Sequence, residues 1–257
     1  MPTTRRISSA PFPQRTARMI ETLQPAFRDR LQSMYAGEPQ QGSDGQVQIN
    51  TVVRIEESVG MWLYDLCRTL KPQRTLEVGM AYGFSTLYIL AAIHDLGNGH
   101  HTAIDPWQNE WWHDVGLLNV SHVGMAQRFD LIAETSISAL ARLRTKQERF
   151  DLIFIDGDHR FDGTLVDFTL AAELCPIGGS IVFDDPWMPA VSAVISWINS
   201  NRSDFTSLDA PGGLAHFRRI SQDQRKWNHF SDFSSRTSIP YRIARRVKQA
   251  ISSVRSG

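Results

Sequence analysis

Five short apolar runs recur through the middle of the chain, each ending in polar or acidic residues: "TLEVG" (75–79), "HTAID" (101–105), "DLIAE" (130–134), "DLIFID" (151–156) and "SIVFDD" (180–185). They are nearly all apolar rather than alternating, so a strand built from any of them needs cover on both faces. Helix-length segments separate them, at 84–95, 110–125, 136–144, 162–174 and 189–199. Strand and helix in strict alternation predict an α/β fold whose parallel, doubly wound sheet has helices on each side. Two further runs follow, "FTSLDA" (205–210) and "GGLAHFRRI" (212–220), joined by Pro-Gly-Gly. They predict a hairpin that adds an antiparallel edge and brings the sheet to seven strands.

The flanks carry weaker signals. Pro, Arg, Ser and Gln dominate the first fifteen residues, which read as a loose arm; a helix is expected over 16–35 and a loop over 37–46. In "IEESVGMWLYDLCRTL" (55–70), Val59, Trp62, Leu63, Leu66, Cys67 and Leu70 recur at a helical period. The expected division is an N-terminal arm and helical extension over 1–54, a main domain over 55–220 and a basic tail over 221–257.

Formal net charge is zero, which gives no reason to expect a nucleic acid partner. The charge is uneven, however: residues 218–257 hold ten Lys/Arg against two acids. Within that tail, Ile243, Val247, Ala250, Ile251 and Val254 form an apolar stripe among arginines. The stripe suits a terminal helix packed on the domain, or one lying on a membrane surface or a partner. Separately, a homo-oligomer is open. Cys67 and Cys175, the two cysteines, sit in apolar stretches and read as buried reduced thiols. The N-terminus lacks the apolar core of a secretory signal, and no run approaches the roughly 18 apolar residues of a membrane span. A cytoplasmic location is expected.

The chemistry concentrates where the strands end. Gly79 and Gly83 lie between the first run and the next helix, where the backbone can approach a ligand and a helix offers free N–H groups. The spacing is neither a G-x-G-x-x-G dinucleotide turn nor a P-loop. Glu77, inside that first strand, would repel a phosphate and suit a cationic ligand. Asp105, at the end of the second strand, is placed to accept hydrogen bonds from a ribose. Glu134, Thr135 and Ser136, at the end of the third, are placed to meet an adenine edge. A ribose, an adenine and a positive centre near a carboxylate together describe S-adenosylmethionine. Four aspartates crowd the next two strand ends, Asp156 and Asp158 in "FIDGDHRFDG" and Asp184 and Asp185 in "IVFDDPW". Like charges gathered this way call for a cation among them.

In "LEVGMAYGFSTL", "FDLIFIDGDHRFDG" and "GGSIVFDDPW", taken in that order, the chain resembles the class I S-adenosylmethionine-dependent O-methyltransferases, over about residues 55–220. The resemblance is strongest to the metal-dependent small-molecule group that includes catechol, caffeoyl-coenzyme A and macrolide or aminocoumarin sugar methyltransferases. It implies a Rossmann-like methyltransferase fold and transfer of a methyl group to a hydroxyl of a small molecule, a sugar or a phenol. It further implies cofactor contacts from Glu77, Gly79, Tyr82, Gly83, Ser85, Asp105, Glu134, Thr135 and Asp156. Asp156, Asp184 and Asp185 would hold Mg²⁺, whose preference is for hard oxygen donors. His159 and Asp158 are the candidate bases, and His159 stands where catechol-type members carry a lysine. A metal-independent methyltransferase of the same fold, and a non-catalytic S-adenosylmethionine-binding protein, remain open at this point. Trp107, Trp111, Trp112 and Trp187 follow strand ends and could wall an acceptor ring.

Overall fold

The computed structural model describes residues 20–50 and 52–234. In chain order its elements are α1 (Pro25–Tyr35), β1 (Gln40–Gln41), β2 (Val47–Gln48), α2 (Glu57–Leu70), β3 (Arg74–Val78), α3 (Phe84–Leu96), β4 (His100–Ile104), α4 (Val115–His122), β5 (Phe129–Ile132), α5 (Ser136–Thr145), β6 (Leu152–Ile155), α6 (Phe161–Leu174), β7 (Ser180–Asp184), α7 (Pro189–Asn201), β8 (Phe205–Leu208) and β9 (Leu214–Arg219).

The main sheet has seven strands in the order β5-β4-β3-β6-β7-β9-β8. Neighbours from β5 through β7 are parallel, while β9 runs antiparallel to both β7 and β8. The expected doubly wound sheet with an antiparallel edge hairpin is therefore the one observed. The chain enters at the centre on β3, builds outward through β4 and β5, then returns to β6 on the other side. That reversal opens a crevice between the carboxyl ends of β3 and β6, the place where open α/β sheets bind ligands.

Each apolar run serves two cores. Along β6, Leu152 and Phe154 face one cluster while Ile153 and Ile155 face the other, as the two-residue period of a strand requires. The first cluster joins the sheet to α1, α2 and α3, so residues from Ile20 to Met34 share a core with the central helices. The second joins it to α5, α6 and α7. Cys67 and Cys175 are both buried, and burial pushes each thiol up to about 12.

Three local expectations need correction. Over 16–35 the α-helix begins only at Pro25, after a single 3-10 turn at Ile20–Thr22. Gln24 precedes a proline and is held extended (ψ 140°), so one helix cannot run through it. Over 110–125 only Val115–His122 is helical. His113 and Asp114 both take left-handed φ, 50° and 59°, and that bend starts α4 late. The supposed loop over 37–46 contains β1, which pairs with β2 and docks on this bend: Ser43 N donates to His113 O, and Ser43 Oγ to Asp114. The expected terminal helix over 239–255 lies outside the described residues. No helix among the described residues is long and apolar enough to cross a membrane.

Asp167 is a titratable group held wholly inside, on the inner face of α6. Burial raises its pKa to about 6, outweighing the opposing effect of the nearby Ser136 hydroxyl. An acid whose pKa is higher folded than unfolded stabilises the fold below its ordinary pKa and loses that contribution as pH rises through the folded value. The stability of the wild type should therefore fall between about pH 4 and pH 6 relative to Asp167→Asn, by about 1–3 kcal/mol. Denaturant titrations of both proteins across that range measure the difference. Parallel curves would contradict it.

Candidate functional site

The site is built on the β3–α3 turn. Both glycines are left-handed, Gly79 at φ 88° and Gly83 at φ 84°, which a side chain rarely tolerates. Gly79 also has no room: a Cβ there would lie 2.2 Å from the carbonyl oxygen of Asp156. The register explains the contact, because Val78 pairs with Ile155 and Asp156 N donates to Val78 O (2.8 Å). The glycine turn and the first aspartate are thus held face to face by the sheet itself. Gly83 caps α3, and Phe84 and Ser85 open its first turn.

Asp105 holds the turn from the other side. Its Oδ2 accepts from Met80 N (3.2 Å), Ala81 N (2.8 Å) and Gln108 Nε2 (3.1 Å), and its Oδ1 from Trp107 N (2.9 Å). Both oxygens are engaged in a residue that is 4% exposed, so the structure uses Asp105 as a strut for the glycine turn. Glu77 lies fully buried between β3 and α3, accepting from Thr86 Oγ1, with His101 Nε2 at 3.3 Å. Its Oε1 has no hydrogen-bond partner, an orphaned acceptor that a cationic ligand would satisfy.

Glu134 and Thr135 stand at the end of edge strand β5, away from this turn. Glu134 is paired with Arg142 (2.7 Å), and Thr135 Oγ1 donates to Ser138. Neither lines the cleft beside the turn.

Of the acids at the ends of β6 and β7, Asp156, Asp184 and Asp185 line one cleft and Asp158 does not. Successive residues on a strand face opposite ways, but β7 ends at Asp184, and Asp185 takes left-handed φ (52°). That one residue turns its carboxylate to the same side as Asp184. Trp187 Nε1 then donates to Asp185 Oδ1 (2.7 Å). Asp156, His159, Asp184 and Asp185 line one cleft with Met80, Tyr82 and Ser85 of the glycine turn.

His159 Nε2 lies 3.5 Å from both Asp156 Oδ1 and Asp185 Oδ2. The facing Asp156 carboxylate raises its pKa. Desolvation, and after it the neighbouring carboxylates, raise Asp184. Asp156 is likewise raised by desolvation, against the opposing pull of His159. Carboxylates that resist ionisation in this way mark a place short of positive charge. Asp158 is different: its carboxylate is forked by Arg160, which lowers its pKa, and it does not line the cleft.

The donor chemistry, three aspartates at adjoining strand ends, fits a hard divalent cation. Their positions are not those of a finished cage: among the described residues, no three His, Cys, Asp or Glu side chains are grouped to hold a metal ion. His159 stands between the carboxylates instead. The orphaned Glu77 oxygen and the glycine cradle fit the cationic, amino-acid end of S-adenosylmethionine.

Two sets of residues fall outside the sequence expectations. The loop before α2 supplies Val52, Val53 and Arg54 to the lining of the cleft. His101, fully buried, braces Glu77 and bonds Thr75 through Nδ1. The tryptophans divide: Trp107 and Trp111 stack at 4.2 Å on the surface, and Trp112 packs edge-on against Tyr82.

A doubly wound sheet with this switch point, glycine turn and hairpin edge defines the class I methyltransferase fold, and residues 76–186 match the family model described as a methyltransferase domain. In fold and over part of its sequence the chain is similar to the class I O-methyltransferases. It is 30% identical over 137 residues to caffeoyl-CoA O-methyltransferase 1 of Eucalyptus globulus, covering 52% of this chain and 53% of that one. It is 26% identical over 133 residues to the catechol O-methyltransferase of Mycobacterium tuberculosis, covering 52% and 57%. The chain thus spans about half the length of the curated relatives it matches. The fold is shared with an O-methyltransferase from Bacillus cereus solved in complex with SAH: TM-score 0.56, 18% identity, covering 78% of this chain and all of that one.

Gly79→Ala should destabilise the protein by about 2–5 kcal/mol, combining a disfavoured φ with a clash against backbone that cannot yield. Urea melts of the two proteins test this. A cost below about 1 kcal/mol would mean that the turn is not locked against β6.

Proposed function

We propose that this protein transfers a methyl group from S-adenosylmethionine to a hydroxyl of a small molecule, a phenol or a sugar, with the help of a divalent cation such as Mg²⁺. The observation that carries this reading is the cleft in which three aspartates and a histidine face the glycine turn.

Methyl transfer to oxygen is an in-line displacement, and its nucleophile must lose a proton. When bound, S-adenosylmethionine supplies a methyl on a sulfonium, and a divalent cation lowers the pKa of a hydroxyl beside it. The residues of the chain do the rest. Gly79 and Gly83 would let the backbone approach the cofactor, and Glu77, fully buried and outside the cleft lining, would act on the cofactor's positive charge through its unpaired Oε1 without being exposed to the cleft. Asp156, Asp184 and Asp185 would hold the cation, which would offset both the desolvation that raises Asp184 and, after it, the repulsion among the three. His159 is the group that would take the proton. Its place among the acids supports it over Asp158, whose carboxylate is committed to Arg160. Trp187, partly exposed and tied to Asp185, offers a face for an acceptor ring.

A metal-free variant of the same reaction is the second reading. It is favoured by the position of His159, which already supplies a cation's contacts to Asp156 and Asp185.

Turnover assays with a catechol as acceptor separate the two. Chelation with EDTA should stop turnover and added Mg²⁺ restore it. Asp185→Ala should abolish the Mg²⁺-dependent rate while leaving cofactor affinity nearly unchanged. Full activity in EDTA would exclude the metal-assisted reading. His159→Gln should lower kcat by about 10²–10⁴-fold at unchanged cofactor affinity. A loss under threefold would remove His159 as the base.

A further inference from the structure

S-adenosylmethionine carries two positive groups, the sulfonium and the ammonium, and one negative group, its carboxylate. A cleft that receives this end of the molecule should therefore be rich in anions and hold one well-placed cation. The charged groups lining the cleft are Arg54, Asp156, His159, Asp184 and Asp185. Of the two with positive character, His159 lies 3.5 Å from both Asp156 and Asp185. Arg54, from the loop before α2, has no carboxylate within ion-pair distance among the described residues.

Arg54 is also held ready. Its Nη1 donates to Tyr35 O (3.0 Å), and its guanidinium lies over the Tyr35 ring at 5.8 Å. The loop that carries it is fixed at both ends. Buried Asn50 accepts from Val52 N (3.0 Å) and Val53 N (2.9 Å) and donates to Val53 O (2.7 Å). At the far end Ile55 O accepts from Tyr35 Oη (3.1 Å). A guanidinium whose stem is restrained loses less freedom on binding a carboxylate, and its planar fork matches that group. Space agrees as well. The cleft encloses about 220 Å³, below the roughly 300–1,000 Å³ of sites that engulf a whole small molecule, so it suits one end of the cofactor.

We propose that Arg54 binds the carboxylate of S-adenosylmethionine, making the loop before α2 part of the cofactor site. The proposal rests on the cofactor reading given above. It adds a residue outside the β3–α3 turn that tells the amino-acid end of the cofactor from a bare nucleoside.

Calorimetry on the full chain with two probes tests it. S-adenosylhomocysteine keeps the carboxylate, and 5′-methylthioadenosine lacks the amino-acid end. Arg54→Gln should weaken S-adenosylhomocysteine by about ten- to a hundredfold, the range for a charged hydrogen bond, and leave 5′-methylthioadenosine within twofold. Arg54→Lys should recover part of the loss. Unchanged S-adenosylhomocysteine affinity in Arg54→Gln would overturn the proposal, as expected if Arg54 served an anionic acceptor instead. Equal weakening of both probes would overturn it too, because Arg54 would then act through the loop. Wild-type protein that fails to bind S-adenosylhomocysteine at all would defeat the cofactor reading itself, and this proposal with it.

Discussion

Three carboxylates gathered at the ends of two adjacent parallel strands repel one another, and burial makes two of them, Asp156 and Asp184, harder to ionise. Asp156 and Asp184 both show the consequence in raised pKa values. Nothing in the packing of the fold demands this arrangement, since either strand could have ended in neutral turn residues. The cluster costs stability and is offset only by positive charge, which His159 supplies in part. The glycine turn, the tryptophan at Asp185 and the loop carrying Arg54 are arranged around that shortage of cation.

The sheet and the site are one construction. The close approach of Gly79 to Asp156 exists because β3 and β6 pair in a fixed register at the point where the strand order reverses. Asp105, just past β4, ties the same turn to that strand end through two hydrogen bonds, from Met80 N and Ala81 N. The glycine turn beside the cleft is therefore positioned by backbone geometry in three neighbouring strands.

Much of this was legible in the sequence because parallel strands buried on both faces leave an unambiguous mark. "DLIFID" and "SIVFDD" could hardly lie anywhere but at the centre of a covered sheet, and their terminal acids had to fall at its carboxyl edge. What escaped was local backbone choice and long-range contact. No propensity distinguishes an Asp185 that bends left-handed from one that continues the strand. Pro25 and the His113–Asp114 bend shortened two helices that periodicity alone would have extended. Asp105 was legible as an acid at a strand end, but its engagement by backbone N–H groups depends on how the turn folds over it. The loop holding Arg54 carried no motif, because its place in the cleft is fixed by Tyr35 and Asn50 rather than by its own sequence pattern.

We propose that the acid cluster exists to receive a cation. Mn²⁺ can stand in for Mg²⁺ and be followed by electron paramagnetic resonance during titration of the protein in the presence of S-adenosylhomocysteine. The account predicts one bound Mn²⁺ per chain, competed by Mg²⁺ and lost in the double variant Asp184→Asn, Asp185→Asn. Free Mn²⁺ signal throughout the titration, or binding that survives the double variant, would contradict it.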